Sequence, residues 1–321
     1  MLSYDWIDGW ARLPDDESVR QGWAHTAIAA LADGRLVTGH PGEPQLLILD
    51  PDGRVLSAVD LPVVEIHGIT VDDDVLWVAD VGRKRRPHDG YENPTGLIRG
   101  QVVKVDLTGR VLTKLDPPPL DVYETTSYSP TGTAVDAATG DLWVADGYGA
   151  SLVHRYDRHG RWRSSLSGEE GGGRFNCPHA VLVDTRRGAP ELYVADRGNG
   201  RIQVYGTDGA YRRTIGPDVL HSPTNLAIDG DRLVAAEFRG ARLTVLDRDD
   251  QLVAYVGENG SVVAGAGWPN ELDERGVPRR TSRLEPRRFN SPHGVAADGA
   301  GNLYVAEWLI GGRYLKLVPA S

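Results

Sequence analysis

Short apolar runs that close on an acidic side chain recur along the chain: VLWVAD (75–80), DLWVAD (141–146), ELYVAD (191–196), RLVAAE (232–237) and NLYVAE (302–307). Each follows an entry segment rich in Pro, His, Thr and Gly. The full units read IHGITVDDDVLWVADVG (66–82), SPTGTAVDAATGDLWVADGYG (129–149), CPHAVLVDTRRGAPELYVADRGNG (177–200), SPTNLAIDGDRLVAAEFRG (222–240) and SPHGVAADGAGNLYVAEWLIGG (291–312). A weaker copy, AHTAIAALADGRLVTGHPG (24–42), precedes them and makes six. After each unit comes a β-rich stretch such as QVVKVDLTGRVLTKL (101–115), RIQVYGTDGAYRRTIG (201–216) or RLTVLDRDDQLVAYVG (242–257). The last two read as hairpins around the turn signals TDG and DRDD. No 3.6-residue periodicity of useful length interrupts the pattern.

Each unit therefore supplies about four short strands, repeated at roughly 40–55 residues, which predicts an all-β, six-bladed propeller. The expectation is one domain over residues 1–321. The last copy ends at RYLKLVPAS with only three strands, so the N-terminal LSYDWIDG is expected to supply the fourth and close the ring. Two insertions break the rhythm: 83–99 (RKRRPHDGYENPTGLIR) in blade two, and 258–290 between blades five and six. Loops this long generally carry a use or disorder. RKRR (83–86) reads either as a solvated basic loop or as an anion-attracting rim over a ligand site.

Composition narrows the function classes. No apolar run approaches the ~18–20 residues that span a bilayer. The N-terminus MLSYDWIDGWARLPDD lacks a basic and an apolar region, which predicts no signal peptide. Cys177 is the one cysteine, so no internal disulfide is expected, in keeping with a reducing cytoplasmic setting. A net charge of −10 is the wrong sign for a nucleic-acid binder.

In a propeller the first strand of each blade lines the central channel, so residues at its start converge on one mouth. That position holds Thr26, His67, Thr131, His179, Thr224 and His293 in turn: threonine alternates with histidine. Three imidazoles from alternate blades would meet the axis at one level, roughly 120° apart. Three histidines with open positions make a site for Zn²⁺, or for another first-row divalent metal. The competing reading is that each histidine recurs with the repeat and bonds within its own blade.

The loop after the second strand opens on the same face. Its recurring acids, Asp80, Asp146, Asp196, Glu237 and Glu307, read as repeat residues that accept backbone N–H groups at a tight turn. Tyr148 and Arg197 are unique to their blades. A tyrosine beside a cation could have its pKa lowered and act as a general base, and an arginine could clamp a carboxylate. Cys177 reads as a small buried residue. His25, one place off the ligand register, reads as channel lining or support. His40, His88, His154, His159 and His221 read as surface residues. No phosphate loop, serine elbow or CxxC pair is present.

These repeats are of the NHL type, and FNCPHAVLVD…ELYVADRGNGRIQVY (175–205) resembles a blade of the peptidyl-α-hydroxyglycine α-amidating lyases. The resemblance covers roughly residues 22–318. It implies one catalytic zinc on three channel histidines, matching His67 in IHG, His179 in CPHA and His293 in SPHG. The family's catalytic tyrosine matches Tyr148 in ADGYG, and a substrate-binding arginine matches Arg197 in ADRGNGR. The implied reaction splits a peptide ending in α-hydroxyglycine into a peptide amide and glyoxylate, with an anionic small-molecule or peptide-like substrate as partner. The chain departs from the family at three positions. Pro41 replaces a second arginine, Ser291 replaces a methionine, and Gly294 replaces the Asp that helps bind a structural Ca²⁺. The cysteines of secreted members are also absent. A zinc-site scaffold with an altered pocket, working as a metal-dependent lyase, is the expectation. The alternatives are a metal-dependent hydrolase, isomerase or cyclase, and a non-enzymatic NHL binding propeller, because a fold does not fix a function.

Overall fold

The computed structural model describes residues 2–91 and 96–320; residues 92–95 of the first insertion lie outside it. Six antiparallel four-stranded sheets form the blades of a propeller. Their innermost strands are Ile28–Ala30, Gly68–Asp72, Gly132–Asp136, Pro178–Asp184, Pro223–Asp229 and Pro292–Ala297. The VLWVAD-type runs are the second strands. They are buried on both faces because each face meets a neighbouring blade, which is why they read as continuous apolar segments.

The core is accordingly divided. Six apolar clusters are found among the described residues, one between each pair of adjacent blades. Between blades two and three, for example, Trp77 and Val102 pack against Leu142, Val144 and Tyr156. The ring closes as expected: Tyr4–Asp8 pairs along Arg313–Pro319 as the outer strand of blade six. Asp8 is joined to Arg313 at 2.6 Å, and Trp6 lies 4.8 Å from Phe289. In blades one to five the two outer strands carry a register shift, as at Ile48/Leu49 and Val204/Tyr205. The outer pair of blade six has none, since no hairpin connects its strands.

Asp80, Asp146, Asp196, Glu237 and Glu307 are all buried and do what their recurrence suggested. Asp80 accepts from the amides of Val64, Glu65 and Gly82 at 2.8–3.0 Å, and Asp196 from Asn176 at 2.7 Å. Glu307 accepts from Ser291 at 2.8 Å. Each carboxylate ties the end of a second strand to backbone two or three residues ahead of the channel entrance. Blade one has His40 in the acid's place. Its Nδ1 accepts from Gly42 and Glu43 at 3.0 Å, so His40 is buried and not a surface residue. His154 is likewise buried, bonded to Tyr123 at 2.6 Å and Ser165 at 2.7 Å. Among the described residues no helix is long and apolar enough to cross a membrane.

Candidate functional site

Two of the three histidines, His179 and His293, owe their aim to strand irregularity. In blades four, five and six, pairing with the second strand skips from Pro178 to Ala180, from Pro223 to Asn225 and from Pro292 to Gly294. His179, Thr224 and His293 are the residues left over. A bulge re-aims its side chain out of the strict alternation of a strand. In blades two and three pairing starts just after His67 and Thr131.

His67, His179 and His293 converge as a near-equilateral triangle, with ring centroids 4.9, 4.9 and 5.0 Å apart. Each Nδ1 faces the carbonyl oxygen of the threonine in the next blade: Thr131 at 2.7 Å, Thr224 at 2.7 Å and Thr26 at 3.1 Å. A carbonyl can only accept, so Nδ1 carries the proton and Nε2 keeps the lone pair. The alternation of threonine and histidine thus has a local reason: one blade's entrance sets the tautomer of its neighbour's imidazole. Burial drives the pKa values of His67 and His179 well below the ordinary histidine range, and that of His293 down to about 4. All three rings are neutral near pH 7. Nε2 of His67 and of His293 is buried and has no hydrogen-bond partner among the described residues. Buried acceptors are rarely left so. One ring nitrogen from each of His25, His67, His179 and His293 lies within 4.8 Å of the others, a donor set able to hold a metal ion.

Tyr148 and Arg197 come to the same place. The Tyr148 hydroxyl lies 2.9 Å from His179 Nε2 and 3.1 Å from His25 Nε2, and it accepts from Arg197 Nη1 at 3.1 Å. Gly147 permits this, because a Cβ there would collide with the Pro178 carbonyl. Burial raises the Tyr148 pKa, with Arg197 and Arg83 opposing it. The expected lowering is therefore outweighed in the protein alone. His25 is more than lining: its Nδ1 lies 3.2 Å from Glu65, which receives Lys84 Nζ at 2.8 Å. Glu65 and Lys84 carried no signal in the sequence beyond Lys84's place in the basic run.

No protein-family model matches the chain. It is 30% identical to human NHL repeat-containing protein 3 over 260 residues, 74% of this chain and 68% of that one. The chain belongs to the NHL-repeat proteins. Peptidyl-α-hydroxyglycine α-amidating lyase 1 of Drosophila melanogaster is 28% identical over 265 residues, 75% of this NHL-repeat chain and 42% of the lyase. Peptidyl-glycine α-amidating monooxygenase B of Xenopus laevis is 32% identical over 171 residues, 51% of this chain but 18% of that protein. Virginiamycin B lyase from Staphylococcus aureus superposes with a TM-score of 0.61, covering 99% of this chain and all of the other; at 13% identity that likeness concerns the fold.

In this NHL-repeat protein the two insertions meet at the histidine end of the channel. Tyr91 of the first donates to the Gly267 carbonyl of the second. Trp268 of the second lies 4.4 Å from Phe238, which lies 5.2 Å from Trp308. Trp308 stacks on Trp23 at 5.3 Å and sits 5.6 Å from His25, so an aromatic wall flanks the histidines. The basic run is only partly solvated: Arg83 is 5.4 Å from the Tyr148 ring, and Lys84 is largely buried. Cys177 is half-buried in the left-handed region at φ 58°, and burial pushes its thiol up. Gly294 lies against blade one, where a Cβ would be 2.9 Å from the Thr26 carbonyl. A side chain at position 294, such as the Asp the family resemblance leads one to expect, would therefore crowd the backbone of blade one.

Proposed function

We propose that the chain, as one propeller over residues 1–321, is a metal-dependent lyase of the amidating-lyase kind. In this reading it cleaves the C–N or a related bond of an anionic small-molecule or peptide-like carbinol compound at the histidine mouth of the channel. The observation that carries the reading is the pair of buried Nε2 atoms of His67 and His293, unpartnered among the described residues, in a triangle with His179, whose own Nε2 meets the Tyr148 hydroxyl at 2.9 Å. His67, His179 and His293 would hold the ion, zinc being the first candidate. When bound, the ion would supply Lewis acidity at the carbinol oxygen.

Tyr148, once it has given up its own proton as the phenolate that Arg197, Arg83 and a bound cation would favour against burial, would take the carbinol hydroxyl proton. As that O–H bond gives its electrons to a new C=O bond, the C–N bond breaks and the nitrogen leaves with a proton. For an α-hydroxyglycine derivative the products are an amide and glyoxylate. Arg197 would hold the substrate carboxylate. Arg83, across the Tyr148 ring, supplies a second cation where Pro41 has removed the family's other arginine. The likeness to the Drosophila lyase supports the same reaction class.

The test combines elemental analysis of untagged protein with an assay of glyoxylate release from α-hydroxyglycine derivatives. About one zinc per chain, lost in a His179→Ala variant, is expected. Tyr148→Phe should keep its metal and lose turnover by about 10²-fold or more. Arg197→Ala should raise KM for anionic substrates and also lower kcat, since Arg197 touches the Tyr148 hydroxyl. Wild-type protein that takes up no zinc would instead fit an NHL binding platform.

A further inference from the structure

Tyr148 has two imidazole nitrogens within hydrogen-bond distance and one proton to give. Which nitrogen receives it follows from donor and acceptor counts. Arg197 has only donors, so it occupies a lone pair of the phenol oxygen. His179 has its proton on Nδ1, facing the Thr224 carbonyl, and in the reading above its Nε2 lone pair belongs to the ion. The remaining acceptor is His25 Nε2.

His25 is prepared for that role by two residues behind it. Glu65 is buried, its backbone N–H donates to Asp80 Oδ1 at 3.0 Å, and its two side-chain oxygens face Lys84 Nζ at 2.8 Å and His25 Nδ1 at 3.2 Å. Lys84 also donates to the Trp23 carbonyl at 3.0 Å. A carboxylate paired with an ammonium offers only acceptors, so His25 must present its proton at Nδ1 and its lone pair at Nε2. Trp308, 5.6 Å from His25, and His67, at 4.4 Å, hold the ring in place.

We propose that Lys84, Glu65 and His25 form a positioning relay that fixes the Tyr148 hydroxyl, with the phenol donating to His25 Nε2. Resting on the role given to Tyr148 above, the relay resembles in logic a carboxylate-oriented imidazole beside a nucleophile, here serving a tyrosine. It joins three separate pieces of chain: the channel entrance of blade one, the segment ahead of blade two's inner strand, and the first insertion.

The experiment is ¹⁵N NMR of the imidazoles in the full chain, with zinc added, the His25 signals being assigned from a His25→Gln variant. The expected spectrum has a protonated Nδ1 and a bare, hydrogen-bonded Nε2 at His25, and Tyr148→Phe should move that Nε2 resonance. In Glu65→Gln, Lys84 will take the amide oxygen and leave the NH₂ group facing His25, so the proton should transfer to Nε2. A proton on Nε2 in the wild type, or a resonance indifferent to Tyr148→Phe, would overturn the relay. In turnover, His25→Gln should cost about 10–100-fold in the wild type and nearly nothing more in Tyr148→Phe; full losses in both backgrounds would also overturn it. A chain that releases no glyoxylate retires the lyase reading, while the tautomer of His25 decides the relay separately.

Discussion

Adding zinc to chelator-treated protein perturbs the histidine triangle most directly. In the metal-free chain, His67 and His293 each bury an Nε2 lone pair that no described residue satisfies. A buried acceptor without a partner costs about 1–3 kcal/mol. Binding to the folded state alone adds RT ln(1 + [Zn²⁺]/Kd), about 2.7 kcal/mol when free zinc is a hundred times Kd. The unfolding entropy of a 321-residue chain is about 0.7 kcal/mol per kelvin. Such a gain therefore raises Tm by roughly 4 °C, with a further ~2 °C for each additional tenfold of zinc. Scanning calorimetry across a zinc series reads this slope. His293→Ala and His179→Ala should flatten it, while the exposed His88, His159 and His221 remain in every variant and set the background for adventitious binding. An unmoved wild-type Tm, or an equal rise in the variants, would refute the claim that these lone pairs await an ion.

Deleting residues 2–9 should lower stability by at least about 3 kcal/mol, the cost of emptying one aromatic site, because Tyr4 is buried and Trp6 rests on Phe289. The exposed edge of Arg313–Pro319 should then promote association on heating, read by light scattering; a monomeric variant of unchanged Tm would count against closure by this strand. Acid should act through His154, whose pKa burial lowers from the ordinary 6.5 to about 3. The unfolded chain binds a proton there that the folded chain refuses, so this stabilisation is complete above pH 6.5 and falls away by roughly 4–5 kcal/mol as pH drops toward 3. Denaturant unfolding between pH 4 and 7 should show a shallower decline for His154→Gln, and parallel curves for the two proteins would contradict it.

The order of strands, the six blades and the closing N-terminal strand are carried by local patterns: apolar runs, turn residues and the count of copies. So is the convergence of His67, His179 and His293, because a repeat that fixes the fold also fixes where equivalent positions meet. The recurring acids could be read as backbone clamps for the same reason. His40 shows where such reading stops. It stands at the acid's position in a degenerate copy, and only its contacts with Gly42 and Glu43 reveal that an imidazole has taken over the clamp. His154 is buried by Tyr123, which comes from the link between blades two and three and follows no repeat.

What tertiary structure alone decided lies where different blades and insertions touch. The bulges at His179 and His293 change the side chain's direction without changing the sequence pattern. Tautomers are set by carbonyls a whole blade away. Glu65 and Lys84 become partners of His25 only because the first insertion folds back toward the channel mouth. Periodicity reports what each residue does within its own strand. A single proton's position depends instead on atoms brought within 2.7–3.2 Å by the closed ring, and no spacing along the chain encodes that distance.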